Sequence, residues 1–165
     1  MKSSVIKLSS LHLAAIVLAF VTSIWGQNSP SNSGPITLTL QGYELSTKEA
    51  SELLAGLSPN MDAKALLLQA SGLAAKGQGK IVKLPESTAA SGARGQGQEG
   101  AMKLETSMTL GADRQTVQVV MSLSAQPQLI RTTFTAALNS IAFLGSFDGD
   151  APGKVTLVFG RLASM

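Results

Sequence analysis

Met102-Lys103-Leu104-Glu105-Thr106-Ser107-Met108-Thr109-Leu110 is the stretch that decides the fold class. Met102, Leu104, Met108 and Leu110 alternate with Lys103, Glu105, Ser107 and Thr109, the period of a half-buried β-strand. Gly111-Ala112-Asp113-Arg114 supplies a turn, and Val117, Val119, Met121 and Leu123 predict the returning strand. Ala125-Gln126-Pro127-Gln128 breaks that strand. Ile130, Thr132, Phe134, Ala136 and Leu138 line one face of the next, followed by Ile141-Ala142-Phe143-Leu144. Asp148-Gly149-Asp150-Ala151-Pro152-Gly153 then turns the chain into a last strand, Val155 to Leu162. These reversals predict an antiparallel meander.

Upstream, Ile36, Leu38 and Leu40 alternate with Thr37, Thr39 and Gln41 as a half-buried strand. After Gly42 the apolar parity passes to Tyr43 and Leu45, which predicts a bulge at the glycine. Ser46 and Glu49 stand at capping-box spacing, and Ala50, Leu53, Leu54 and Leu57 follow at helical intervals, so a helix is expected from Thr47 to about Leu57. Ser58-Pro59 offers a second start, and Asp62 to Leu68 favours a helix to about Ala75, stopped by Lys76-Gly77. Ile81-Val82-Lys83-Leu84 predicts a short strand ended by Pro85. Ser87 to Gly100, rich in Ser, Ala, Gly and Gln, reads as a long mobile loop or a weak hairpin. The class is α+β: an N-terminal strand, two helices, then an antiparallel β-meander packed against the helices.

Residues 1–26 read as a secretory signal peptide. Lys2 and Lys7 form a basic start, an apolar stretch runs from Leu8 to Trp25, and Thr22-Ser23 and Gly26 close it. Cleavage falls after Gly26 or after Ser23. The competing reading is an uncleaved anchor helix, near the lower length limit for spanning. Residues 27–35, Gln-Asn-Ser-Pro-Ser-Asn-Ser-Gly-Pro, read as a flexible polar linker, leaving 36–165 as one domain. Periplasmic or secreted localisation follows, with membrane attachment only through an uncleaved leader.

Losing Lys2 and Lys7 lowers the 13 Lys plus Arg to 11, against 10 Asp plus Glu. That near-neutral balance, and a basic stretch at Lys76, Lys80, Lys83 and Arg94 without interleaved aromatics, argue against nucleic-acid binding. His12, the single histidine, leaves with the leader, and the chain has no cysteine. The remaining chain therefore lacks the residues for a Ser-His-Asp triad, a Cys-His dyad, or a thiolate or imidazole metal site. A non-enzymatic protein is expected, with no catalytic residues, no cofactor and no metal. Its aliphatic core follows from only 4% aromatics.

Four motifs have a chemical reading beside a structural one. Gly95-Gln96-Gly97-Gln98-Glu99-Gly100 matches GxGxxG as text, but lacks the preceding strand and following helix of a phosphate site and reads as loop. Asp148 and Asp150 could offer oxygens to calcium, yet a turn explains them better than a cation loop without a distal glutamate. Glu99 and Glu105 read as solvated carboxylates. The Ser4 to Lys7 spacing of a Ser–Lys nucleophile lies in the leader.

Ala65-Leu66-Leu67-Leu68-Gln69-Ala70 leads to Gly79-Lys80-Ile81-Val82-Lys83-Leu84-Pro85-Glu86-Ser87-Thr88. Ser91-Gly92 and Gly95-Gln96 follow, then Gly100 to Thr106, Gly111 to Val117, and Val158-Phe159-Gly160-Arg161-Leu162. In this order they resemble the secretin domain of bacterial outer-membrane channels, with its Leu/Ala-rich helix, Gly-Lys strand and paired strands about a Gly-x-Asp turn. The family's closing Val-Pro…Pro motif is missing. The resemblance implies a periplasmic, β-rich assembly component rather than an independent channel.

The expected function is an exported non-catalytic envelope protein, a structural or adaptor component of a secretion- or pilus-type assembly. It would engage an envelope partner or a second copy through sheet edges. The edge candidates are the strands Ile36–Leu45 and Val155–Leu162. The alternative is a periplasmic or secreted binding module for a small apolar or glycan ligand. Its cleft would lie between helices and sheet, with Tyr43, Phe134 or Phe143 as contacts.

Overall fold

A computed structural model of the chain describes residues 34–56 and 62–164. The expected leader, residues 27–33 of the linker and the Ser58-Pro59 helix start lie outside the described residues. The elements are β1 (Ile36–Ser46), α1 (Thr47–Ala55), α2 (Ala63–Ala75), β2 (Gly79–Ala89), β3 (Arg94–Glu99) and β4 (Met102–Leu110), then β5 (Thr116–Ala125), β6 (Gln128–Ala137), β7 (Ile141–Asp148) and β8 (Lys154–Ser164). The fold is α+β and β-rich, with one strand before the two helices. Its strands form two antiparallel sheets: sheet A in the order β2-β1-β8-β7, and sheet B in the order β3-β4-β5-β6. The meander is thus sheet B, while β7 and β8 return to join β1.

Two core layers hold three tiers together. Ile36, Leu38, Leu40, Val158 and Leu162 of sheet A face Leu104, Met108, Val117, Val119, Met121 and Leu123 of sheet B. On the other side of sheet A, Tyr43, Leu45, Leu157 and Phe159 meet Ala50 of α1 and Leu66 and Ala70 of α2. The helices cover only the end of sheet A that carries Leu45 and Val155. Thr39, Gln41 and Arg161, farther along that face, are exposed.

This partial cover corrects the bulge expected at Gly42. β1 pairs β8 without interruption from Ile36↔Ser164 to Ser46↔Lys154. Ile36, Leu38 and Leu40 point into the sandwich, whereas Tyr43 and Leu45 point at the helices. The apolar parity changes because the buried face changes, not because the backbone slips. The edge assignment is corrected as well: β1 and β8 are the two central strands of sheet A, and the edges are β2, β7, β3 and β6. A strand buried on both faces reads as a near-continuous apolar run, as Val155 to Phe159 does.

The irregularities fall in edge strands instead. β2 runs on through Pro85 to Ala89, and its register against β1 shifts between Thr39↔Glu86 and Gln41↔Lys83, placing the extra residue at Leu84-Pro85. Proline is tolerated at such a bulge on an edge. In β7 the shift lies between Phe143 and Gly145, whose φ is +131°. The extra residue returns Phe147 to the interior of the sandwich.

The tract Ser87 to Gly100 is neither a long loop nor a hairpin of its own: Ser87–Ala89 end β2, and Arg94–Glu99 form β3, which pairs not with β2 but with β4, from Arg94↔Ser107 to Glu99↔Met102. Its glycines are spacers. A methyl group on Gly97 would overlap the carbonyl oxygen of Glu86, and one on Gly95 would strike the Ser87 and Thr106 hydroxyls. The backbones of β2 and β3 therefore touch where one sheet passes into the other. Beside this contact, the Ser87 and Thr106 hydroxyls hydrogen-bond at 2.7 Å, both buried.

The helix ends follow local chemistry. The Glu49 amide donates to Ser46 Oγ at 3.2 Å, and the Ser46 amide donates to Glu49 Oε2 at 3.0 Å, completing the box foreseen in sequence. Asp62 Oδ1 accepts from the Lys64 amide at 3.0 Å and caps α2. Gly77, at φ +74°, stops α2 as expected, with the Gln78 amide donating to the Leu73 carbonyl at 3.0 Å. Among the described residues no helix is long and apolar enough to cross a membrane.

Candidate functional site

The alternation that buries one side of β4, β5 and β6 sends the intervening residues to the outer face of sheet B. Strand register arranges them in rows. Arg94, Ser107, Val120 and Thr133 form one; Gln96, Glu105, Ser122 and Arg131 the next; Gln98, Lys103, Ser124 and Leu129 the third. No tier covers this face among the described residues. Two adjoining depressions, of about 530 and 410 Å³, share Gln96 and Glu105 and make a shallow trough over β3 and β4.

Three cations stand on the face, Arg94, Lys103 and Arg131, against one carboxylate, Glu105. The four ion pairs among the described residues use Lys48, Lys80 and Lys83. The three sheet B cations enter none of them. Within these rows, among the described residues, only Gln98 spends its side chain on the protein, donating to the Gly100 carbonyl at 3.1 Å. Val120 and Leu129 are the large apolar side chains of the face, half exposed at 51% and 50%. Aromatic residues are absent from all three rows. The chemistry available is therefore ionic and hydrogen-bonding, on a flat support fixed by the ladder beneath.

The opposite side of the molecule is different. α2 carries Leu66, Leu67, Leu68, Leu73 and six alanine or glycine positions in thirteen residues, yet only Leu66 and Ala70 are fully buried. Leu68 is 61% exposed. Between α1 and α2 lies a groove of about 410 Å³ lined by Leu53, Gly72 and Leu73, with Glu49, Glu52, Gln69 and Lys76 along it. An apolar helix left open on one side normally has something to cover it.

The three aromatic contacts expected from sequence do not share a cleft. Tyr43 and Phe143 both pack on Phe159 in the helix-side core, with ring centroids 6.0 and 5.5 Å apart respectively. Tyr43 is 3% exposed, its oxygen accepts from Gln41 Nε2 at 2.7 Å, and burial pushes its phenol pKa up. Phe134 lies in the other layer, between the sheets. None of the three borders the trough or the helix groove.

Asp148 and Asp150 also go separate ways. Asp148 binds the side-chain amide of Gln128, which accepts from the Asp148 amide at 2.8 Å and so bridges β6 to β7. Asp150 pairs with Lys80 at 2.9 Å, and its amide donates to Glu44 Oε2 at 2.8 Å. Glu44, with a side chain 8% exposed, lies 3.4 Å from the same ammonium. Lys80 has a raised pKa, chiefly through its hydrogen bond to Asp150 and further through Glu44. This trio ties the β7–β8 turn to β1 and β2. Glu99 pairs with Lys83 at 3.3 Å, away from Glu105. Among the described residues no three His, Cys, Asp or Glu side chains gather to hold a metal ion.

Sequence reasoning overlooked Arg94 and Arg131 as a pair. Arg131 occupies an outward position of a legible strand, but Arg94 opens a glycine-rich tract that carries no strand period of its own. Only the β3–β4 register puts both on one surface. No family model, curated protein or solved structure matches the chain.

Proposed function

We propose that the chain is an exported, non-catalytic adaptor of the cell envelope, a β-rich component of a secretion- or pilus-type assembly. The observation that carries this reading is the pair of open faces on opposite sides of the three tiers. One is the apolar α2 surface with its groove; the other is the polar, cationic face of sheet B. An adaptor needs two surfaces of unlike chemistry, so that two partners do not compete. The leader-like residues 1–26 and the resemblance to the secretin domain support the compartment and the setting. The absence of cysteine, and of any histidine besides His12 in the leader-like segment, supports a role without catalysis.

In-cell photo-crosslinking tests the reading, with the crosslinker placed at Leu68 and, as control, at Arg161. Expected is an envelope protein captured from Leu68 in the exported fraction. A chain retained in the cytosol, or without a protein adduct at Leu68, would overturn it.

The alternative is a glycan-binding module. The uncommitted hydroxyl and amide groups lining the trough favour it, on sheet B and not in the helix-side cleft where Tyr43 and Phe143 are packed.

A further inference from the structure

The chain downstream of the expected leader is almost balanced in charge, yet the outer face of sheet B carries a surplus of two positive charges. Arg94 and Arg131 stand on the two edge strands of that sheet, three inter-strand steps or about 14 Å apart across it and one row apart along it. Lys103 lies on β4, one row beyond Arg131. Because none of the three is paired within the described residues, their charge is available to an incoming anion. Between the cations stand Gln96, Ser107, Ser122 and Thr133, short or amide side chains able both to donate and to accept.

We propose that this face binds an acidic polysaccharide laid across the strands, its anionic groups on Arg94, Lys103 and Arg131 and its hydroxyls on the Ser, Thr and Gln side chains. The inference rests on the adaptor reading for its place in the cell, and names the ligand of one of the two faces. A protein partner fits less well. Protein interfaces concentrate their energy in aromatic and buried apolar anchors, and the rows offer only Val120 and Leu129. Single-stranded nucleic acid relies on base stacking against aromatic rings, which the rows lack. A polyhydroxylated acidic chain needs neither. Glu105 sets a further condition: in the same row as Arg131, it disfavours a ligand anion at the centre of the trough and favours hydroxyl donors there.

The test titrates the purified full chain with polygalacturonate, neutral dextran and poly-L-glutamate, at low and high salt. Polygalacturonate should bind, more weakly as salt rises, while dextran does not. The Arg94→Gln/Arg131→Gln double variant should lose about tenfold or more in affinity, with an unchanged thermal melt because both side chains are exposed. Arg161→Gln, on sheet A, should bind as the parent does. Glu105→Gln should bind polygalacturonate more tightly. The proposal is overturned if polygalacturonate does not bind, if the double variant binds as the parent does, or if dextran binds equally. Poly-L-glutamate binding as tightly as polygalacturonate would also overturn it, in favour of an acidic protein segment. Failure of the Leu68 crosslink with polygalacturonate binding intact would remove the adaptor reading alone.

Discussion

Gly97→Ala is the substitution on which the described architecture depends most directly. The added methyl would overlap the Glu86 carbonyl oxygen and come within 2.8 Å of its carbonyl carbon and 3.3 Å of its amide nitrogen. Ordinary contact begins near 3.4 Å. β2 would thus have to retreat by more than about 0.6 Å, against a backbone that its ladder to β1 holds in place. Overpacking of this kind costs about 3 kcal/mol at its upper end, and loss of glycine's unfolded-state freedom returns somewhat under 1 kcal/mol. The clash wins, by about 2 kcal/mol, and lowers Tm by roughly 8 °C for a domain of this size. Gly72→Ala is the matched control. Its methyl meets nothing within 4 Å on α2, so the same chemical change should stabilise by about 0.5–1 kcal/mol. Thermal and urea unfolding followed by far-ultraviolet circular dichroism reads both. A Gly97→Ala protein as stable as the parent would refute the backbone contact between β2 and β3.

Other expectations concern polar groups. Ser87→Ala strands the buried Thr106 hydroxyl and should cost about 1–3 kcal/mol, whereas adding Thr106→Val should recover much of that loss; strictly additive effects in urea unfolding would show that the two hydroxyls are not paired. Glu44→Ala removes the acceptor of the Asp150 amide and should cost about 2 kcal/mol, with faster hydrogen exchange at Asp150 as the local signature. Ser46→Ala should cost about 1 kcal/mol and release Glu49, whose carboxyl the Ser46 hydroxyl and amide hold below the usual range. A depressed carboxylate pKa contributes stability above the unfolded-state value and loses it as pH falls through the folded-state value. Acidification should therefore destabilise Ser46→Ala less steeply than the parent. Asp113, lowered by the Thr116 and Gln115 amides, contributes with the same sign. Carbon-detected carboxyl titration checks both shifts, and a Glu49 curve unmoved by Ser46→Ala would contradict the cap.

Much of this fold was legible because local signals agreed with the tertiary outcome. β4, β5 and β6 alternate cleanly since only one face of sheet B is buried, and Ser46 and Glu49 announced α1 through groups three residues apart. The failures were non-local. β1 and β8 pair over more than a hundred intervening residues, and no local pattern ranks them as central rather than edge strands. Gly42 looked like a bulge because helices cover one end of a face, a fact that belongs to the tertiary structure. β3 carries no strand period in the sequence because Gly95 and Gly97 answer to close packing on β2 and not to β-propensity. The candidate site inherits that difficulty: its outward Glu105 and Arg131 were readable on their strands, whereas Arg94 joins them only through the register of a strand made of glycine and glutamine.

The Ile36↔Ser164 pairing puts the two ends of the domain side by side. A short linker joining them, with new termini opened at the exposed Ala112-Asp113 turn, should give a circular permutant with the same sheets. The same pairing orders assembly in time. Any route that delivers the chain N-terminus first leaves β1 without β8 until the last eleven strand residues arrive. Such long-range closure makes folding slow, and keeps the nascent chain open to chaperones until β8 has emerged.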